Sequence, residues 1–339
     1  METCTGRNVT ASALGGKITS VSSLDEKGFP SQLLLTKGDD ILRKLELAYD
    51  PVTSNMKSKR DSVVKFNQSY TYDNLDRLVR AQNNLELISN AHEPSVSSSD
   101  PIKFRPPGSI ESIKIGEDLA GIYNVDYHAN GNISYKTLAG NYLYDGSRPH
   151  AVTSVENEKH NYLQAKAVQT IDYNGLGKVC EITDGRYGMS FAYGLDVDWF
   201  STLLYKDGKE IRRTLYLGDS EVVDEDAMGN GNYVRRIFHY LDDGVICLTE
   251  EGKEPRLLYA FYDNLGSVLE IVDADGNPVF RAKYDAWGRQ TVVQNTVGYN
   301  RGYTGHETSI KDSFNMCCIL WSYLIMFFLL VPCFETCLP

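Results

Sequence analysis

Tyr262-Asp263-Asn264-Leu265-Gly266-Ser267-Val268 and Tyr284-Asp285-Ala286-Trp287-Gly288-Arg289-Gln290 are two copies of one pattern. The pattern is Tyr, then Asp or Asn, any residue, a large apolar residue, Gly or Asp, and often a basic residue. Two more copies align without gaps, Tyr72-Asp73-Asn74-Leu75-Asp76-Arg77-Leu78 and Tyr173-Asn174-Gly175-Leu176-Gly177-Lys178-Val179. Looser copies start at Tyr127 and at Tyr144. Each position has a physical job. Tyr ends a strand and packs its ring on the sheet. Asp or Asn accepts hydrogen bonds from the turn backbone two residues on. Gly supplies a left-handed backbone at the turn exit without a Cβ clash. The basic residue opens the next strand on its solvent face. One such unit cannot bury its own apolar face, whereas stacked units can. The motif residues Tyr72, Asp73, Tyr173, Gly177, Tyr262, Asp263, Gly266, Tyr284, Asp285, Gly288 and Arg289 are therefore read as structural, with no catalytic residue among them.

The flanking sequence has strand character. Leu203 to Lys206 and Lys209 to Arg212 are separated by Asp207-Gly208, a type I′ hairpin signal in which both turn residues need positive φ. Val268 to Val272 turns at Asp273 to Asn277 and returns over Val279 to Tyr284. Period 2 puts Val279, Arg281 and Lys283 on one face of that return strand, and Phe280, Ala282 and Tyr284 on the other. Lys37 to Ala48 is the best helical candidate, with Ile41, Leu42, Leu45 and Ala48 at helical spacing, although alternation fits it nearly as well. The expected fold is all-β, hairpins in one curled, shell-like antiparallel sheet. Residues 1–16 read as a disordered head, 17–307 as the repeat region with a loop near 90–108, and 308–339 as an aberrant apolar tail.

Composition agrees. The chain has 339 residues, 42% hydrophobic and 23% charged, which excludes disorder throughout. Its 22 Tyr against 12 Phe suit a surface apolar at its base and wet at its tip. A net charge of −11 repels phosphate backbones, so nucleic acid is not an expected partner. The seven cysteines form no regular disulfide framework, and the first 25 residues hold no apolar segment of signal-peptide type.

The Tyr-Asp pattern resembles the YD repeats of RHS proteins, teneurins and related toxin-complex components. The run from Tyr259 through Tyr262-Asp263, Asp273-Ala274-Asp275-Gly276-Asn277 and Tyr284-Asp285-Ala286-Trp287-Gly288-Arg289 is similar to the RHS repeat-associated core, which places the core-like part at 259–307. Gly302-Tyr303-Thr304-Gly305-His306-Glu307 resembles the next step of that core. The resemblance implies a C-terminal fragment of a longer bacterial protein whose repeats coil into a hollow shell, in many members around a toxic domain. It implies a structural shell or surface scaffold without catalysis, at the cell surface or secreted. It also implies a carbohydrate-binding surface module as the alternative. After Glu307 the family continues into a Tyr-Asp-Pro and Gly-Arg-Phe tract that carries the acidic residues for self-cleavage in many members. That tract is absent here, so cleavage and a delivered toxin are not carried over.

From Phe314 to Phe334 no residue is charged, and a bilayer span needs about 20 apolar residues. Two readings stay open for this tail, a membrane anchor through 314–334 or the product of a lost reading frame. The abrupt end of the family pattern and the crowding of Cys317, Cys318, Cys333 and Cys337 favour the second. Elsewhere the chemistry is sparse. No phosphate loop, dinucleotide loop, nucleophile elbow or His-Glu-x-x-His occurs. Asp224, Asp226 and Gly229 partly resemble a calcium loop, but Met228 and Arg235 stand where oxygen ligands are needed, so a turn is expected. His128, His150 and His306 read as hydrogen-bonded turn residues. Asp196 and Asp198, alternating on one expected strand face, are the single carboxylate pair an enzyme reading could use. Trp199 and Trp287 suit packing in the sheet before sugar stacking. No cofactor and no metal is expected. The expected partners are other YD-repeat chains pairing through open sheet edges, and polysaccharide.

Overall fold

The structure is a computed structural model, and it describes residues 8–12, 18–85, 121–137, 140–144, 146, 149–150, 154–156, 170–184, 186–195, 198–226, 229–288 and 290–307. The loop near 90–108, the tail from 308, and Asp196 and Arg289 lie outside them. Strands dominate. The first eleven are β1 (Asn8–Ser12), β2 (Ile18–Leu24), β3 (Pro30–Lys37), β4 (Asp40–Tyr49), β5 (Met56–Asp61), β6 (Phe66–Tyr72), β7 (Leu78–Leu85), β8 (Gly121–Tyr127), β9 (Ile133–Lys136), β10 (Gly140–Leu143) and β11 (Ser154–Glu156). The next twelve are β12 (Thr170–Tyr173), β13 (Val179–Asp184), β14 (Tyr187–Tyr193), β15 (Trp199–Lys206), β16 (Lys209–Leu217), β17 (Ser220–Glu225), β18 (Val234–Tyr240), β19 (Val245–Glu250), β20 (Arg256–Tyr262), β21 (Val268–Asp273), β22 (Pro278–Tyr284) and β23 (Gln290–Asn295).

Every strand pairs antiparallel with its sequence neighbour, and the hairpins form two sheets, one of 11 strands and one of 12. The all-β, hairpin-by-hairpin architecture is the expected one, but the single continuous sheet is not. Among the described residues no ladder joins β11 to β12, and β12 begins a second sheet. The head is also corrected in part. Asn8–Ser12 pairs with Thr19–Ser23 as an added edge strand, because an exposed edge of unpaired amides accepts any extended segment within reach. The helical candidate at Lys37 to Ala48 is the end of β3, the hairpin turn and most of β4. Arg43, Leu45 and Leu47 are buried in alternation, and burial on a sheet face follows period 2 whatever the local helical spacing.

The two sheets pack face to face. Leu33, Leu35, Leu45 and Leu47 of the first sheet share one core with Phe261, Val272, Val279 and Tyr259 of the second. Each sheet brings matched ends to this contact. Lys37, at the β3–β4 turn, pairs with Asp275 at the β21–β22 turn. At the other end Trp287 packs edge-on against Tyr123, 6.0 Å between centroids, and Lys136 lies over its ring. Burial along β20, β21 and β22 is nearly continuous because both faces are covered. Val279, Arg281 and Lys283 face the first sheet: Arg281 pairs with its neighbour Glu270 on β21, whose carboxylate also takes Arg43 of β4, and Lys283 lies over Phe66 of β6. Phe280 and Tyr284 face the other way, onto Tyr299 and Tyr303. These two tyrosines belong to residues 296–307, a strap that turns back from β23 over the second sheet. Tyr299 also meets Phe238 of β18, Arg301 meets Glu221 of β17, and Glu307 meets Tyr216 of β16.

Candidate functional site

The repeated turn is the most regular polar feature of the molecule. At Asp73 the carboxylate Oδ1 accepts from the amides of Leu75 (2.9 Å) and Arg77 (3.0 Å), while Asp76 exits at φ +58°. At Asn174 the acceptor takes the amides of Leu176 and Lys178, both at 3.0 Å, and Gly177 exits at φ +74°. At Asp263 it takes Leu265 (2.9 Å) and Ser267 (2.8 Å), with Gly266 at φ +80°. Asp285 accepts from Trp287 at 2.9 Å, with Gly288 at φ +81°. The first amide, two residues on, is the one the turn residue type implies; the second, four residues on at Asp73, Asn174 and Asp263, emerges only from the fold. Asp25 and Asp273 build the same turn without a preceding Tyr.

The tyrosines do more than pack. Tyr127 donates its hydroxyl to the carbonyl of Leu78 (3.1 Å), Tyr144 to Ile133 (2.9 Å), Tyr193 to Val179 (2.6 Å) and Tyr284 to Val268 (2.8 Å). In each case the acceptor is the first residue after the preceding turn. That residue is also the register partner of the preceding unit's Tyr: Tyr72 with Leu78, Tyr127 with Ile133, Tyr173 with Val179, and Tyr262 with Val268. A register shift marks all four pairs, so each hydroxyl serves a carbonyl at an irregular point of the ladder. One unit's Tyr thus latches the unit before it. A residue-by-residue reading could not see the pairing, and its one visible trace is the excess of Tyr over Phe. Tyr193→Phe is expected to cost about 1–2 kcal/mol, because a part-buried carbonyl loses its donor while the ring stays. Urea unfolding of the variant measures it.

Ion pairs lock the sheets together. The Arg43 side chain is fully buried, and its guanidinium donates to Asp61 (2.7 Å), Glu270 (2.9 Å) and the carbonyl of Ala282 (3.0 Å). Lys59 donates to Asp263 Oδ2 at 2.7 Å. The repeat aspartate therefore closes its own turn with one oxygen and ties the first sheet with the other. Under the strap, Arg301 donates to Glu221 at 2.7 Å, and Tyr216 and Asn300 both donate to Glu307. Burial raises the Glu307 carboxyl above its usual value, against the pull of Arg212 and the Tyr216 hydroxyl. The exposed turns behave oppositely. The Arg77 hydrogen bond holds Asp73 below the usual carboxylate range, and Arg186 does the same for Asp207. A lowered folded pKa gives stability that is present above the unfolded value near 4 and lost as pH falls through the folded one. The urea midpoint is expected to drop on acidification below about pH 4, and less steeply in Asp73→Asn.

The residues with catalytic or binding potential are dispersed. Asp198 is exposed in the turn before β15, not on a strand face as expected, because the strand begins at Trp199. Asp224 is paired bidentately with Arg235 at 2.7 and 2.8 Å. Asp226 accepts the amides of Asn230 and Gly231, so this stretch is a turn. His150 bonds Asn132 (2.7 Å), His306 bonds Thr304 (2.6 Å), and His128 packs edge-on against Tyr144. Trp199 lies between Phe191 and Tyr216. Among the described residues no group of three His, Cys, Asp or Glu side chains could hold a metal ion, and no helix is long and apolar enough to cross a membrane. An open groove of about 530 Å³ runs past His128, Asn130, Tyr142 and Tyr144, and none of the described residues that line it is a carboxylate.

What these parts define is a series of similar hairpins, four of them tied by tyrosine hydroxyls to the unit before, in two packed antiparallel sheets with an all-β fold of the RHS type. Solved structures share it. The crystal structure of TcdB2-TccC3 matches with a TM-score of 0.61 and 16% identity, over 86% of this chain and 16% of that chain. TcdB2-TccC3 without its hypervariable C-terminal region matches at 0.62 and 16% identity, with the same coverage. The Photorhabdus luminescens Tc holotoxin pore matches at 0.58 and 15% identity, again over 86% and 16%. At such identity the likeness shows the fold. The chain spans 16% of the length of these chains. No family model matches the sequence, and no curated protein does.

Proposed function

We propose that this chain is a wall segment of an RHS-type shell, a scaffold that works by enclosing and has no catalysis of its own. The observation that carries this reading is the unit-to-unit tyrosine latch, which spends the conspicuous polar groups of the repeat on joining hairpins. Two buried cations, Arg43 and Lys59, are likewise spent on ion pairs between the sheets. Likeness to components of a toxin complex supports protein partners in an assembly of that kind. The test is a broad screen of the full chain against ester, glycoside, peptide and phosphoester substrates. No turnover above buffer is expected. Turnover that disappears in Asp198→Asn would overturn the reading.

A further inference from the structure

Residues 296–307 lie back over the second sheet in two unlike halves. The near half is apolar, with Val297 and Tyr299 buried. The far half is polar except for Tyr303, which packs on Tyr284. Glu307 turns its carboxyl onto β16, where one oxygen accepts from the Tyr216 hydroxyl and the other from the Asn300 side chain. Both donors are neutral, and no cation among the described residues bonds this carboxyl. Arg301 of the strap is spent on Glu221 of β17, which also takes the Tyr240 hydroxyl of β18 at 3.0 Å. Arg212 of β16 lies within electrostatic reach, yet its Nε and Nη2 are buried without a hydrogen bond. Tyr216 in turn meets buried Thr202 of β15, 3.2 Å between oxygens. A carboxyl, a phenol and a hydroxyl thus stand in a row, and either hydroxyl can turn to donate or to accept.

We propose that the far half of the strap is a proton-controlled clamp, closed when Glu307 is protonated and loosened when it ionises. The row of hydroxyls accommodates the closed form. Glu307 donates its proton to the Tyr216 oxygen, the Tyr216 hydroxyl turns to Thr202, and Asn300 keeps its bond to the other carboxyl oxygen. Ionised, the same group sits away from water with two neutral donors and no bonded cation, which is the costly state. Released, it regains water. The sign follows from this. Burial outweighs the pull of Arg212 and Tyr216 and raises the docked carboxyl above its ordinary 4.5. The docked strap therefore holds the proton more tightly than the released one. Docking is tightest below about pH 4.5 and weakens as pH rises from there to the raised value, by up to about tenfold per pH unit.

This goes beyond the wall reading and stands or falls without it. The experiment is hydrogen exchange by mass spectrometry on the full chain from about pH 5 to 8, corrected for the intrinsic pH dependence of exchange and read over residues 300–307. The amides of Gly302, Gly305 and His306 are hydrogen-bonded within the strap and report its closure. Two variants accompany the wild type. Glu307→Gln mimics the protonated acid. His306→Gln removes the strap's other group that titrates in this range, an exposed side chain bonded to Thr304. The expected result is protection that falls by at least about threefold between pH 5 and 7 in the wild type and in His306→Gln, and that stays flat and high in Glu307→Gln. A flat wild-type profile, a slope that persists in folded Glu307→Gln, or a slope that vanishes in His306→Gln overturns the proposal. If Glu307→Gln does not fold, the other two profiles decide.

Discussion

Arg43→Met is expected to destabilise the protein by about 3–5 kcal/mol, the usual cost of removing one partner from a buried ion pair. The side chain is fully buried between the sheets, and its loss leaves Asp61 without its cation. Glu270 keeps Arg281 and so suffers less. The expectation follows from the asymmetry of buried charge, in which an unpaired carboxylate costs far more than a satisfied pair contributes. The double variant Arg43→Met, Asp61→Asn should therefore recover part of the loss, because it removes the orphaned charge. Urea unfolding at neutral pH decides it. Equal stability of wild type and Arg43→Met would mean that the sheets do not meet through this residue.

Gly288→Ala is the second large effect. Gly288 sits at φ +81°, and a Cβ there would lie 2.7 Å from the Tyr303 ring. Backbone strain costs about 1–2 kcal/mol, and forcing the ring aside costs a further 1–3 kcal/mol. Gly266 is the control. It has φ +80° and open space around its Cα, so Gly266→Ala bears the strain alone. A larger loss at Gly288 than at Gly266 reports the docking of the strap on the turn. Equal losses would place Tyr303 elsewhere.

Much of this fold was legible because its signals are local. Asp207-Gly208 announces a hairpin, and both residues have positive φ, +51° and +74°. Alternation in Val279 to Tyr284 assigns faces that the contacts respect. The four gapless copies of the turn share hydrogen bonds that a single carboxamide or carboxylate can specify. What was not legible is relational. Nothing in Lys59 announces that it will meet Asp263 across 204 residues, or in Arg43 that it will be buried beside Glu270. The division into two sheets depends on pairing between segments rather than on the segments themselves. Lys37 to Ala48 was ambiguous for a similar reason. Its apolar residues fit two periods, and burial against the second sheet selects one.

The central claim is tested most directly by putting the segment to work as a wall. Residues 17–307 would replace the matching stretch of a TcdB2-TccC3 chain, and the purified chimera would be imaged by electron microscopy. The account predicts a closed hollow shell in which the grafted hairpins continue the wall, with the face-to-face contact at Arg43 preserved. A graft that folds as a separate body outside an open shell would contradict it.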